Sequence, residues 1–587
     1  MTRRALWMLA AGALVCTYTL SAAPQTSAAP EWLVTRADEG RSGGQLVVIE
    51  RAEPRTLNPV IAVDAPSKDV IARTTADLIH FDRETQQPQP ALARSWTASP
   101  DGRHFTLSLR RGIRFSDGEP FDADDVLFSF RVYQDEKVGS PQRDQLIVGE
   151  KPMAVRKIDE YTVQVDLAEP YAVGERLFDS LAMLPRHLLD RPYTEGRLPQ
   201  LWGLGTAPQA IAGLGPFRLR EHVVGQRMVL ERNPFYWKTD RAGHHLPYLD
   251  RVVFTFVPSE DAQAVRFQSG DADVTTRLSA ANFDVLFRDR GGRNYDLLDL
   301  GPGLDYTFLF FNQNSLAADA PAPVARARAW FRQLAFRQAV SLAIDREAIV
   351  RLVYKGRAVP LWGHVPPGNK LWVNRTLAKP PRSVEQARAR LRMAGFSWNA
   401  AGMLMDRDGQ PVAFTIVTNT GNTERNQIAT IIQDDLRQLG IAVNVAALEL
   451  RALLDRLLNT HDYEACVLGL GGSDGDPSNE MNVWLSSGGT HLWNPGQPQP
   501  GTAWEAEIDT LMRRQLVIRD MQERKRLYDR VQALVAENLP IISLVSPNVL
   551  VGVTKGLGNL RPTIFDHHAL WNVEELFWRG RPSGAAR

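Results

Sequence analysis

The sequence predicts an α/β protein built around a parallel sheet, and three observations carry that prediction. Between Val412 and Leu470, strand-length apolar runs alternate with helical periodicity in the order β-α-β-α-β. Parallel neighbours need such crossovers, and the crossovers are right-handed. Strand and helix patterns also alternate before and after this unit. The 587 residues contain neither an internal repeat of 20–50 residues nor a long low-complexity linker. At that length the chain holds roughly 3–4 domains' worth of residues, interlocked by several crossings rather than strung on a tether.

Each element has its local reason. Leu46-Val47-Val48-Ile49 after Gly43-Gly44 reads as the first strand, broken by the extended loop Glu53 to Pro59, whose Asn58 is a candidate binding residue. Arg103 to Arg110 alternates as a strand, and Gly112 to Gly118 is expected to return as a second. Asp122 reads as an N-cap for a helix with Val126, Leu127, Phe130 and Tyr133 on its apolar side. Tyr161 to Leu167, Gly213 to Arg220, Arg227 to Glu231 and Arg251 to Val257 read as strands, and Ala262 to Phe267 as a short helix stopped by Gly270. Phe336 to Ile344 is helical, and Asp345 caps another short helix. In the crossover unit, Val412 to Thr418, Ile441 to Val445 and Tyr463 to Leu470 are the strands. Glu424 to Leu439 and Arg451 to Leu458 are the helices. A helix from Arg524 to Leu539 ends at Pro540, and Ile541 to Val545 is a buried strand.

The N-terminus carries Arg3 and Arg4, an apolar run from Ala5 to Val15, and small residues at Ser21-Ala22-Ala23 and Ala28-Ala29. That is the layout of a secretory signal peptide, assigned to residues 1–28 and too short to span a bilayer. Periplasmic residence is expected; a lipoprotein anchored through Cys16 fits less well, because Val15 stands where a small residue is needed. Of two cysteines, only Cys466 would survive cleavage, so no intramolecular disulfide is expected. Lys plus Arg total 68 and Asp plus Glu 67, with no run of five basic residues, which argues against nucleic acid as a partner.

Ligands of open parallel sheets bind beyond the carboxyl ends of the strands. Two loops fall there: Asn419-Thr420-Gly421-Asn422 leading into Arg425, and Gly469 to Pro477 with Asp474 and Asp476. Asp474 is the candidate for an ammonium group, and Asn419, Asn422 and Arg425 are candidates beside it. Trp362 and Trp493 lie in Gly/Pro-rich surroundings and are candidate pocket aromatics. Gly471-Gly472-Ser473-Asp474-Gly475 matches the nucleophile-elbow pattern, which opens an alternative, an exported serine hydrolase using Ser473, but no histidine is placed as its partner. Asp122, Asp124 and Asp125 fit a helix start, His244-His245 and His567-His568 lack helical zinc spacing, and neither a metal nor a cofactor is expected.

One stretch of text is more specific. Pro90-Ala91-Leu92-Ala93-Arg94-Ser95-Trp96, Ser99-Pro100-Asp101-Gly102, Leu109 to Gly118 and Phe121-Asp122-Ala123-Asp124-Asp125-Val126 stand in sequence. They are followed by Gly213 to Phe217, Glu231 to Trp237, Phe336 to Val340 and Ala343 to Arg346. Together they resemble family 5 of the bacterial extracellular solute-binding proteins, the peptide and nickel binders of ATP-binding-cassette importers. The resemblance implies a two-lobed periplasmic-binding-protein clamshell with an extra small domain inserted in the first lobe. By analogy the first lobe takes 44–75, 208–300 and 525–580, the extra domain 76–207, and the second lobe 301–524. It also implies a monomer that encloses a small peptide or related solute between its lobes, delivers it to a permease with a cytoplasmic ATPase, and is not an enzyme. Family peptide binders anchor a peptide amino terminus with an Asp in the loop matching Gly469 to Pro477, where Asp474 stands nearest. A periplasmic sensor or chaperone on the same fold is the remaining alternative.

Overall fold

The computed structural model describes residues 31–149, 151–179, 181–315, 321–471 and 475–580. The signal-peptide assignment, Ser473 and Asp474 lie outside them.

A 12-stranded mixed sheet organises the chain. Along it run Phe217–Val223, Arg227–Arg232, Arg251–Phe256, Gln45–Glu50, Val274–Thr275, Ile541–Thr554, Tyr306–Phe311, Ala465–Leu470, Ala413–Asn419 and Ala442–Leu448, while Tyr295–Pro302 and Ala358–Pro360 also pair with Ile541–Thr554. The expected crossover unit is present: Ala413–Asn419 pairs in parallel with both Ala442–Leu448 and Ala465–Leu470. Its helix Thr423–Arg437 begins on the cap Asn422, buries Ile428, Ala429, Ile432 and Leu436, and is followed by Gly440 at φ 81°. Only a residue without a Cβ enters that left-handed conformation at little cost.

The strand Ile541–Thr554 is 14 residues long, not the five the sequence suggested, and belongs to both halves. Its first part pairs with Tyr306–Phe311 and Ala358–Pro360, its last part with Val274–Thr275 and Tyr295–Pro302. Pro547 sits where the partners change: Ser546 faces Val359, and Asn548 faces Pro302. A proline lacks the N–H a continuous ladder requires, so this break is where it fits. The carbonyl of Pro547 accepts from Gly303 N at 2.9 Å, which brings a second strand connection to the same crossing. Two lobes therefore join across adjacent strands, one sheet half on either side.

Packing follows the period-2 alternation. In Tyr306–Phe311, Phe308 and Phe310 join a cluster with Trp484, Trp493 and Tyr528 on one face. Leu309 and Phe311 join Ile49, Phe414 and Ile542 in a second cluster on the other face, which runs beneath both lobes. Each such fully buried side chain contributes about 1.5–3 kcal/mol. The helix Met521–Asn538, expected with the first lobe, buries Tyr528, Val531, Leu534 and Val535 in the second-lobe cluster.

Residues between the first-lobe strands form a separate four-stranded antiparallel sheet in the order Ala93–Ala98, His104–Leu109, Thr162–Asp166, Ala154–Asp159. Its Phe105, Leu107, Val163 and Val165 share one apolar cluster with Leu46, Val48 and Phe254 of the large sheet. Gly112 to Gly118 is not the expected strand. It is a turn with both glycines at positive φ and one isolated bridge between Arg114 and Pro120. Asp122 caps the helix Ala123–Gln134 as expected, in a reciprocal box with Asp125. Among the described residues, no helix is long and apolar enough to cross a membrane.

Candidate functional site

The strands Ala413–Asn419 and Ala465–Leu470 end side by side, and Tyr306 stands opposite Leu470. Asp305 therefore lies at the carboxyl edge of the second-lobe sheet. From the first lobe, the short strand Val274–Thr275 delivers Arg277 beside the long shared strand, where Leu278 N donates to Leu550 O at 3.1 Å. Both Arg277 and Asp305 are solvent-exposed, yet the surrounding protein desolvates both. Side chains that line a crevice show that combination, reached by water yet flanked by protein. Burial raises the Asp305 carboxyl, against the pull of Arg277 and Arg425. For Arg277, burial opposes the charge, but Asp69, Asp305, Glu50 and Asp566 outweigh it and raise its value.

Two glycines make room for this chemistry. A Cβ on Gly469 would stand 2.6 Å from Nη2 of Arg425, and one on Gly471 would stand 2.7 Å from Oδ1 of Asp305. These glycines seat the protein's own charged side chains. Arg425 donates from Nη1 to Oδ1 of Asn419 at 2.9 Å, and burial lowers its value.

Behind the crevice lies a buried polar network. Nδ1 of His567 is 2.6 Å from Oδ1 of Asp69, and that hydrogen bond and ion pairing hold Asp69 well below the usual carboxylate range against its burial. Burial holds Glu50 up at about 8, with the Asp69 charge adding to it. Arg73 is 2% exposed, and its Nε and Nη2 have no hydrogen-bond partner among the described residues. Asp566, which acts on Arg277, also lines a cavity of about 630 Å³ reaching from the helix Ala65–Thr74 to Ser478 and Asn479. On that cavity's wall Asp77, His80 and Asp179 bring ligand-type atoms within 4.8 Å of one another, a grouping spread over about 100 residues of sequence. Asp179 is already engaged by Phe81 N and by Arg83 at 3.0 Å.

The residues singled out from the sequence separate into two groups. Asn419 and Arg425 meet each other at the crevice edge. Asn422 caps its helix, accepting from Arg425 N at 2.8 Å, which is a folding role. Trp493 is no crevice residue: it is 2% exposed, packed against Trp484, and donates to Glu505. Trp362 donates to Pro380 O at 3.1 Å with Arg346 against its ring. Asn58 is buried and ties its loop to Leu198 O at 2.9 Å. Aromatic and polar residues in Gly/Pro-rich text satisfy cores and loops as often as pockets, and sequence cannot tell the two apart. Asp476 forms a buried bidentate pair with Arg524 at 2.9 and 3.2 Å. Arg277 and Asp305 were missed. The available signal was a lone charge abutting each end of a short β-rich run.

Two lobes that share one sheet, with a crevice where they meet, define the class of enclosing solute-binding proteins. The chain belongs to the bacterial extracellular solute-binding proteins, family 5, whose middle-region profile matches residues 87–491. It is similar to the oligopeptide-binding protein AppA of Bacillus subtilis, 25% identical over 98% of both chains. It is also similar to heme-binding protein A of Haemophilus influenzae, 25% identical over 92% of this chain and 93% of that one. Among solved structures, AppA of Bacillus subtilis in complex with a nonapeptide matches with a TM-score of 0.73 at 24% identity, covering 92% of this chain and 100% of that chain. The binding protein MelB of Agrobacterium fabrum in complex with stachyose matches with a TM-score of 0.76 at 22% identity, over 94% and 87%. These likenesses show the two-lobed fold.

Proposed function

We propose that this chain is the solute-binding component of an ATP-binding-cassette importer, exported by its N-terminal leader to the periplasm. It encloses a peptide-like solute between its lobes and hands it, as a monomer and without chemical turnover, to a membrane permease driven by a cytoplasmic ATPase. The observation that carries this reading is the crevice at the shared strand, where Arg277 from one lobe and Asp305 from the other act on each other electrostatically with neither side chain hydrogen-bonded among the described residues. Donors and acceptors without a hydrogen-bond partner in a partly desolvated site are open to bonding with a solute. The near full-length similarity to an oligopeptide-binding protein supports a peptide as that solute. Lobes joined by adjacent strands close by hinge motion, and Arg51 already reaches across, donating to Gly421 O.

Native mass spectrometry of the mature protein, purified without denaturation, tests the proposal. A retained ladder of peptide masses is the expected result. A single sugar or chelate mass would replace the peptide reading, and conversion of an added substrate would overturn solute binding as the function.

A further inference from the structure

The lobes join at two neighbouring places, the chain entering Tyr306–Phe311 and the strand Ile541–Thr554 about Pro547. Lobes joined so narrowly can rotate, and the balance between open and closed then rests on contacts that rotation breaks. One such contact involves neither connection. The four-stranded sheet moves with the first lobe, because Phe105, Leu107 and Val163 share one apolar cluster with Leu46 and Phe254. The helix Ala503–Val517 moves with the second, burying Ile508 and Met512 in the cluster of Trp484 and Tyr528. Between these two bodies, Ala172 N donates to Leu516 O at 2.5 Å, and the Leu516 side chain packs on the first-lobe cluster. Three residues on, Arg519 donates from Nη1 to Ser99 O at 3.3 Å and to Pro100 O at 3.1 Å. Those carbonyls belong to the turn Ser99-Pro100-Asp101-Gly102, between the strands Ala93–Ala98 and His104–Leu109. Gly102 stands at φ 70°, and a Cβ on it would lie 3.0 Å from Cδ of Arg519. The turn uses its glycine twice, for a left-handed backbone and for the arginine stem that crosses it.

Resting on the solute-binding reading above, we propose that Leu516 and Arg519 form a latch on the four-stranded sheet that holds the lobes closed and slows solute release without touching the solute. Both are positioning residues, and neither lines the cavity of about 630 Å³. Ala172, which the latch engages, stands between Tyr171 and Val173, and both of these do line it. Engaging the latch therefore fixes a wall of the cavity that Ser478 and Asn479 complete from the second lobe, where Gln145 also donates to Asn479 at 3.5 Å. A contact made only in the closed form raises the closed fraction, and the apparent affinity of a solute that binds this form scales with that fraction. The gain is the same whatever the chemistry of the solute, because it comes from protein meeting protein.

Two measurements on the mature protein test the latch: small-angle X-ray scattering after solute has been dialysed away, and stopped-flow release of a synthetic mixture of free-ended tripeptides. The double variant Leu516→Ala with Arg519→Ala is expected to show a larger radius of gyration than wild type, with far-ultraviolet circular dichroism unchanged. It should release tripeptides about tenfold faster, the loss expected from a few exposed hydrogen bonds and one apolar contact. Arg519→Lys, which keeps a donor for the two carbonyls, should stay nearer to wild type than Arg519→Ala in both measurements. Should the double variant fail to fold, the exposed Arg519→Ala alone is read, with release about threefold faster. An unchanged radius, or an unchanged release rate, overturns the inference while peptide binding stands. If no tripeptide is retained, the peptide reading fails, and the radius alone decides the latch.

Discussion

The guanidinium of Arg425 lies across Gly469, with Nη2 2.6 Å from where a Cβ on that glycine would stand. A side chain at 469 therefore cannot coexist with Arg425 in its present place. The nearest conflicting atom is the end of a flexible side chain, and the Tyr306 carbonyl oxygen at 3.1 Å needs to give only slightly, so the fold should survive the exchange. Gly469→Val should weaken solute binding about as much as Arg425→Ala, and the double variant should lose little more than either, since both remove one interaction. Calorimetry with the co-purified solute checks this; additive losses would separate the two positions.

Arg524 and Asp476 form a different kind of pair. At 2.9 and 3.2 Å and almost wholly buried, they hold the loop after the Gly-rich segment against the helix Met521–Asn538. Removing Arg524 takes away the bidentate partner of a buried carboxylate, at a cost of about 3–5 kcal/mol. Arg524→Leu should lower the urea midpoint accordingly, and adding Asp476→Asn should return part of the loss. An unchanged midpoint in Arg524→Leu would show that the pair does not hold the loop.

Glu50 gives stability a definite pH slope. Burial, with Asp69 nearby, lifts its carboxyl from 4.5 to about 8. Between those values the folded protein keeps a proton that the unfolded chain has released, so this group's contribution falls as pH rises. Glu50→Gln should flatten the stability profile over that window relative to wild type, measured by denaturant titration at several pH values. A parallel profile would remove Glu50 as the source.

Three histidines act at the acid end. Burial lowers His364 to about 3, and lowers His567 and His568 to about 4, from 6.5. Below pH 6.5 the unfolded chain takes up protons that the folded chain refuses, so stability should drop as pH falls from 6.5 toward 4. Each such group adds up to about 1.4 kcal/mol per pH unit within its window. His364→Gln, which keeps a polar group near the Tyr528 hydroxyl that His364 meets at 3.2 Å, should shallow that slope. Equal slopes for variant and wild type would count against it.

The sequence alone determined the local elements and the class of fold. Asp122 and Asp345 announced helix starts because a capping side chain satisfies donors within its own turn. The β-α-β-α-β order announced a parallel sheet because only crossovers can join parallel neighbours. The Pro90 to Val126 text announced the family.

Tertiary structure decided the site. The long strand Ile541–Thr554 extends past Pro547 because its second half finds partners 250 residues earlier in the chain, a pairing no local pattern encodes. Arg277 and Asp305 come within each other's electrostatic reach only when the shared strand brings the two lobes to one crossing. Trp493 and Asn58, which looked available in sequence, are consumed by the core and by a loop tie. Whether a polar side chain is spent on the fold or left for a solute depends on neighbours distant in sequence, and so on packing that only the folded chain defines.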